Sequence, residues 1–119
     1  MPARLKPAPP EDVAAALDRF RGGSPDKSDL RLLAKHFLAL LETRAPGKSV
    51  EVRVPPYAAI QCIDGVRHTR GTPPAVIETD AATWIELATG TLTWPDAVES
   101  GRARASGERT DLALHLPLG

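Results

Sequence analysis

The chain has 119 residues, of which 42% are hydrophobic and 25% charged, a composition ordinary for one globular domain. Its 15 basic residues balance 15 acidic ones, which argues against an electrostatic grip on nucleic acid or on an anionic membrane. The single cysteine, Cys62, excludes an internal disulfide, and no apolar run approaches the roughly 20 residues of a membrane span.

The N-terminal segment is rich in proline and lacks the apolar stretch of a signal peptide. We therefore expect residues 1–10 to form a flexible arm and residues 11–119 to form a single domain. The lone cysteine and the missing signal peptide favour a cytoplasmic protein.

Apolar residues at helical spacing predict two helices after the arm. The first covers residues 11–20 and ends at Gly22-Gly23. The second begins at Ser24-Pro25 or at Ser28 and runs to about Arg44. Its apolar residues are Leu30, Leu33, Ala34, Phe37, Leu40 and Leu41.

Alternation then predicts strands. Three valines separated by Glu51 and Arg53 indicate a strand over residues 50–54 with one wet face, and Pro55-Pro56 breaks it. A second strand is predicted over residues 57–63. Asp64-Gly65 would turn the chain into an antiparallel strand over residues 66–70.

The stretch from residue 76 to residue 107 has the most consistent local signals. A strand at Val76 and Ile77 precedes a helix over residues 81–89, capped by Asp80 and ended by Gly90. Thr93 would cap another helix over residues 95–100, with Pro95 in its first turn. We expect Ala97 and Val98 to face inward and Gly101 to end the helix.

Residues 102–106 alternate charged and small side chains and predict a strand with Ala103 and Ala105 on its inner face. The C-terminal segment is ambiguous. Alternation of leucines favours a strand over residues 112–116, whereas Thr110-Asp111 as a cap favours a short helix, which we expect.

These elements predict an α+β fold of two layers. Helices from residues 11–44, 81–89 and 95–100 would cover one side of a mostly antiparallel sheet of about five strands.

Catalytic and metal-binding motifs are not evident. The histidines, His36, His68 and His115, lie far apart and lack the spacing of a metal site, and we expect no metal and no cofactor. Cys62 is expected to be a buried, inert thiol, and no serine sits in a nucleophile elbow. We therefore expect a protein that is not an enzyme.

Two features admit a functional interpretation beside a structural one. Trp84 and Trp94 lie on consecutive helices and belong either to an ordinary core or to the wall of an apolar cavity. The candidate cavity-lining residues are Phe37, Leu41, Ile60, Trp84, Leu87, Trp94, Val98 and Leu112. A cationic group is either a solvated sheet face, partly paired with Glu51 and Glu78, or a contact for an anionic headgroup. Its members are Arg67, Arg70, Arg102 and Arg104.

The sequence TDAATWIELATGTLTWPDAVESGRARASGER, residues 79–109, resembles the C-terminal half of the sterol carrier protein family. The shared features are the acidic cap Asp80, Thr89-Gly90, the short helix that ends at Gly101, and the strand that closes on Gly107. Three further patterns resemble small actinobacterial sterol-carrier-like proteins: Arg70-Gly71-x-Pro73-Pro74, Thr83-Trp84 and Leu116-Pro117-Leu118. The resemblance is clearest over residues 67–118.

The resemblance implies a sterol-carrier-like fold, in which sheet and helices enclose a hydrophobic tunnel. It thereby implies a small, non-catalytic protein, a monomer or weak dimer, whose partner is a lipid, fatty acyl chain or sterol-like molecule. The alternative is a stand-alone protein-interaction or accessory module. Such modules are related to the sterol-carrier-like domains attached to mycothiol-dependent isomerases. Fold alone does not decide between these functions.

Overall fold

The computed structural model describes residues 5–64, 75–106 and 112–118. Over these ranges the helices are α1 (Pro10–Arg21), α2 (Lys27–Arg44), α3 (Ala81–Thr89) and α4 (Trp94–Glu99), with a 3-10 turn at Ala113–His115. The strands are β1 (Val50–Val54), β2 (Ala58–Cys62), β3 (Ala75–Thr79) and β4 (Ala103–Ser106). The predicted α+β class is confirmed.

The four described strands form one mixed sheet in the order β2-β1-β3-β4. β1 pairs antiparallel with β2, and β3 pairs antiparallel with β4, whereas β1 and β3 run parallel, with Val52 opposite Ile77. The expectation of about five strands was therefore wrong for the described part of the chain. The strand predicted over residues 66–70 and Gly65 of its turn lie outside the described residues.

One face of the sheet is buried and the other is wet. The three valines of β1 are fully buried, and Ile60, Cys62 and Ile77 continue the same apolar surface on β2 and β3. The opposite face carries charge: Glu78 lies between Arg53 on β1 and Arg104 on β4 in the strand register. The alternating pattern of β1 thus correctly predicted a strand with one buried face.

Helix α2 is the main cover of the buried face. It contacts α1, α3 and β2, and Leu33, Phe37 and Leu41 are buried as the helical spacing predicts. Leu38 is also fully buried, because α2 is enclosed by neighbouring elements on more than one side. The indole Nε1 of Trp84 on α3 donates a hydrogen bond to the carbonyl oxygen of Ala34 at 3.2 Å, which ties α3 to α2.

The start of α2 differs from the prediction. Neither Ser24 nor Ser28 caps the helix; Asp26 does, because its carboxylate accepts a hydrogen bond from the amide of Asp29 at 2.9 Å. The carboxylate of Asp29 in turn accepts from the amide of Asp26 at 3.1 Å, which completes a capping box.

The same Asp29 carboxylate joins α1 to α2. Its oxygens accept hydrogen bonds from Arg19 Nε at 3.0 and 2.9 Å and from Arg19 Nη2 at 2.7 Å. The Asp29 side chain is only 4% exposed, so a charge is removed from water here and needs a partner. These hydrogen bonds from Arg19 hold the pKa of the Asp29 carboxyl below its ordinary value.

The last strand and the C-terminal segment depart from expectation in part. Ala103 is buried, but Ala105, which lies opposite Ile77 in the register, is exposed because β4 is an outermost described strand. In the C-terminal segment the helix is reduced to the 3-10 turn, and its predicted cap at Thr110-Asp111 lies outside the described residues.

The chain crosses itself closely where α2 leads into the sheet. The amide of Ile63 donates to the carbonyl of Ala45 at 2.6 Å, and the amide of Ser49 donates to the carbonyl of Ile63 at 3.0 Å. A Cβ atom at Gly47 would stand 2.2 Å from the carbonyl carbon of Ile63, so glycine is required there. Ile63 itself has φ of 63°, a left-handed conformation that is strained for a β-branched residue.

Part of the N-terminal arm contacts the domain. The amide of Ala8 donates to Nδ1 of His36 at 2.9 Å, and Leu5 packs against the core. The flexibility of residues 1–10 stays a prediction.

Within the described ranges, no helix combines the length and apolarity needed to cross a membrane.

The first prediction concerns the face of α2 that covers the sheet. Phe37→Ala removes a side chain that is 2% exposed and should lower the free energy of unfolding by about 3–5 kcal/mol, measured by urea denaturation. Arg31→Ala, on the exposed side of the same helix, should stay within about 0.5 kcal/mol. A loss below about 1 kcal/mol for Phe37→Ala would contradict the packing described for α2.

The second prediction concerns the Arg19–Asp29 pair. Because the folded-state pKa of Asp29 is lowered, the ionised carboxylate stabilises the protein above its unfolded pKa of about 4, and this contribution is lost as pH falls through the folded pKa. Asp29→Asn should therefore lower the melting temperature by a few degrees at pH 7, and the deficit should shrink below about pH 4.

Glu99→Gln, at an exposed position on α4, is the matched control and should leave both melting curves close to that of the parent protein. A deficit for Asp29→Asn that stays constant from pH 7 to about pH 3 would show that the charge of Asp29 does not contribute.

Candidate functional site

An apolar groove lies where the end of α3, the start of α4 and the C-terminal segment meet. We call it the Trp94 groove, and its volume is about 230 Å³. Apolar atoms dominate its walls. Gly90 and Thr93 interrupt an otherwise apolar and proline-rich lining. The lining residues are Leu87, Gly90, Leu92, Thr93, Trp94, Pro95, Ala113, Leu116 and Pro117.

Local helix signals fix the inner walls of the Trp94 groove. Gly90 ends α3 with φ of 85°, a left-handed conformation that lets the chain turn sharply toward α4. The hydroxyl of Thr93 then accepts a hydrogen bond from the amide of Asp96 at 3.3 Å and starts α4. Trp94 is the first residue of α4 and is only 7% exposed, so its indole forms a fixed wall.

The outer wall is the C-terminal strap, residues 112–118. The amide of Leu118 donates to the carbonyl oxygen of Ala88 on α3 at 2.7 Å. Nη1 of Arg44, the last residue of α2, donates to the carbonyl oxygens of His115 at 3.1 Å and Pro117 at 2.8 Å. Leu112 and Leu118, at the two ends of the strap, are buried, whereas Leu114 is 89% exposed.

The structure places two of the predicted cavity-lining residues, Leu87 and Trp94, in this groove. Val98 was expected to face inward and does not: it is 42% exposed, because the adjacent Ala97 takes the buried side of α4. The remaining predicted residues lie in the buried core: Phe37, Leu41, Ile60, Trp84 and Leu112.

Burial of these core residues bears on how a ligand would reach them. Trp84, Leu41 and Leu112 have no accessible surface. A side chain beside an empty space wide enough for water would keep some accessible surface. A ligand would therefore reach these three side chains only by displacing their neighbours. A cavity between helices and sheet stays a prediction.

A second, polar cleft lies at the other end of the α3–α4 pair. It measures about 480 Å³ and includes Glu78, Asp80, Arg102 and Arg104 in its walls. Asp80 caps α3, whose nine residues span about 13 Å, so this cleft and the Trp94 groove lie at opposite ends of that helix.

The four arginines of the cationic group predicted from the sequence do not share one environment among the described residues. Arg102 lies just before β4, forms an ion pair with Glu86, and donates to the hydroxyl of Thr83 at 3.2 Å. Glu51 pairs with Arg53. Arg104 lies on β4 beside Glu78, while Arg67 and Arg70 lie outside the described residues. The role of these arginines as headgroup contacts stays a prediction.

Burial shifts the pKa values of both Cys62 and His36. Cys62 is fully buried, and desolvation, with a smaller effect of the Glu42 charge, raises the pKa of its thiol to about 12. His36 is half-buried, and desolvation lowers its pKa.

Among the described residues, no three histidine, cysteine or acidic side chains converge in a way that could hold a metal ion. His68 lies outside that part of the chain, and His115 belongs to the strap.

The protein is thus an α+β protein in which helices cover a mixed sheet and an apolar groove lies beside the short helices. The chain matches the family described as bacterial SCP ortholog over residues 26–118, which includes α2, the whole described sheet and the strap. The protein therefore belongs to this sterol-carrier-like family, and the resemblance seen in the sequence is confirmed. No curated protein matches the chain significantly.

The third prediction tests the burial of Cys62. Because the thiolate is the reactive form and the pKa is raised to about 12, the native thiol should react with a disulfide reagent at pH 8 at least roughly a thousandfold more slowly than the thiol of the unfolded chain, whose pKa is about 8.5. The rate of thiol labelling with and without urea measures this. Rapid stoichiometric labelling of the native protein would show that Cys62 is accessible.

Proposed function

We propose that the protein binds an apolar ligand without chemical conversion, and that the ligand is a lipid, a fatty acyl chain or a sterol-like molecule. The Trp94 groove is the observation that carries this proposal: an indole and several leucine side chains face an open apolar space. Membership of the sterol-carrier-like family supports it. The cytoplasmic location and the monomeric or weakly dimeric state expected from the sequence belong to the same proposal.

Binding in the Trp94 groove would rest on removal of apolar surface from water, which contributes about 25 cal/mol for each Å² buried. None of the described lining residues offers a charged side chain to a ligand. Affinity should therefore depend weakly on ionic strength, in contrast to binding through the arginines of the polar cleft.

The alternative function is a protein-interaction or accessory module. Leu114, at 89% exposure, and Val98, at 42%, are large apolar side chains on the surface near the groove elements, and such residues occur in protein interfaces. On this alternative the groove would receive a side chain of a partner protein rather than a free lipid.

The fourth prediction distinguishes these functions by tryptophan fluorescence. Hexadecanoate should shift or quench the emission and saturate at about one ligand per chain, because the ligand would lie against Trp94. Trp94→Phe should abolish most of the change, while Trp84→Phe should retain it, since Trp84 is fully buried and bonded to Ala34. The melting temperature should rise with ligand concentration by mass action.

A panel of fatty acids, acyl-CoAs and sterols would extend the same measurement. If none of them changes the emission or the melting temperature, the carrier proposal fails and the interaction module becomes the better explanation. A steep loss of binding with added salt would move the site from the groove to the arginines of the polar cleft.

A further inference from the structure

Two polar contacts attach residues 5–21, which precede the part of the chain that matches the family, to helix α2. One is the ion pair of Arg19 on α1 with the buried carboxylate of Asp29. The other is the hydrogen bond from the amide of Ala8 to Nδ1 of His36, at 2.9 Å. The first contact holds α1, and the second holds the segment in front of it.

The amide of Ala8 has a special place in this segment. Positions 7, 9 and 10 are prolines, so Ala8 supplies the one backbone N–H between Lys6 and Glu11. That donor is directed at the ring of His36, and Ala8 and His36 are both half-buried. Leu5, three residues earlier, packs against the core. The position of this stretch on α2 therefore depends on whether the His36 ring can accept a hydrogen bond.

Only the neutral imidazole can accept. A ring nitrogen that accepts a hydrogen bond carries no proton, so the proton of the neutral His36 ring lies on Nε2. A second proton would occupy Nδ1 and would turn two N–H donors toward each other, that of the ring and that of Ala8. Phe37 meets the ring edge-on, with 5.0 Å between the centroids, and cannot replace the lost partner of the amide.

The charged groups around this contact do not favour the imidazolium. They are Lys6 in the arm, Glu11 and Asp12 in the first turn of α1, and Lys35 beside His36 on α2. Lys6, Glu11 and Asp12 are exposed, and none of the four charges shifts the pKa of His36. Burial lowers that pKa, because the charged ring loses hydration.

We propose that the Ala8–His36 hydrogen bond is an acid-sensitive latch, which holds residues 5–9 on α2 while the imidazole is neutral and releases them when the ring is protonated. Release takes Leu5 away from the core and uncovers the side of α2 on which His36 lies. The protein thus presents more apolar surface in mildly acidic than in neutral surroundings.

The pH range of the latch follows from the two contacts. The pKa of His36 is lowered from 6.5 in the latched state, so latching is complete above 6.5 and is lost as the pH falls from that value through the lowered pKa. The pKa of Asp29 is lowered from 3.8, so its ion pair with Arg19 still holds α1 where the latch has opened.

Nuclear magnetic resonance of the whole chain tests the latch directly. At about pH 8 the ¹⁵N shifts of the His36 ring should show a bare Nδ1 and a protonated Nε2. Between about pH 8 and about pH 4.5 the order parameter of the Ala8 amide should fall from about 0.85 to below about 0.6, with the midpoint of the ring titration. The amide of Ala16, buried on α1, should stay rigid.

Two variants of nearly equal shape identify the titrating group. His36→Asn keeps an acceptor oxygen near the place of Nδ1 but does not titrate, and should hold the Ala8 amide at both pH values. His36→Leu has no acceptor and should leave the amide mobile at both. A pH transition of the Ala8 amide that persists in either variant would overturn the proposal, as would a proton on Nδ1 of wild-type His36 at about pH 8.

The reverse experiment removes the donor. Ala8→Pro deletes the N–H at a position where the following Pro9 already favours extended backbone. A contact that requires the neutral ring must in turn favour the neutral ring, so the titration midpoint of His36 should rise toward 6.5 in this variant. Ala8→Gly keeps the N–H and should titrate like wild type. An equal His36 midpoint in Ala8→Pro and Ala8→Gly would overturn the latch.

Discussion

Burial of one face of the sheet beneath α2 is the constraint on which the other features depend. Each valine of β1 is fully buried, and such a side chain contributes about 1.5–3 kcal/mol when it leaves water. That apolar surface requires a continuous cover, which α2 supplies over β2 and which α3 extends through the bond from Trp84 to Ala34. The positions of α3 and α4, and therefore of the Trp94 groove, follow from this packing.

Most features set by neighbouring residues were predicted well, although the capping box of Asp26 and Asp29 at the start of α2 was missed. The caps at Asp80 and Thr93 and the stop at Gly90 each involve hydrogen bonds within a few residues, so the sequence carries their full signal. The orientation of Val98 was predicted wrongly because α4 has six residues, and fewer than two turns do not define an apolar stripe. Alternating polarity likewise identified β1 as a strand without revealing its neighbours.

Features that join distant segments were not predicted. Arg44 meets the carbonyl of His115 across 71 positions and that of Pro117 across 73, and nothing in a local window marks an arginine as the anchor of a remote segment. The parallel pairing of β1 with β3 was missed for the same reason, since the alternation of each strand fits either direction. The groove is built mainly from such encounters, so family resemblance could suggest an apolar site but not its walls.

The crossing at Gly47 and Ile63 limits how this chain can vary. A single methyl group at position 47 would overlap the main chain of Ile63, and that overlap cannot be relieved by rotating a side chain. The loop after α2 and the end of β2 can therefore keep this close approach only while position 47 carries no side chain. Homologous chains that carry a larger residue here must have separated these two backbone segments, which makes position 47 a marker for where the end of β2 lies in a relative.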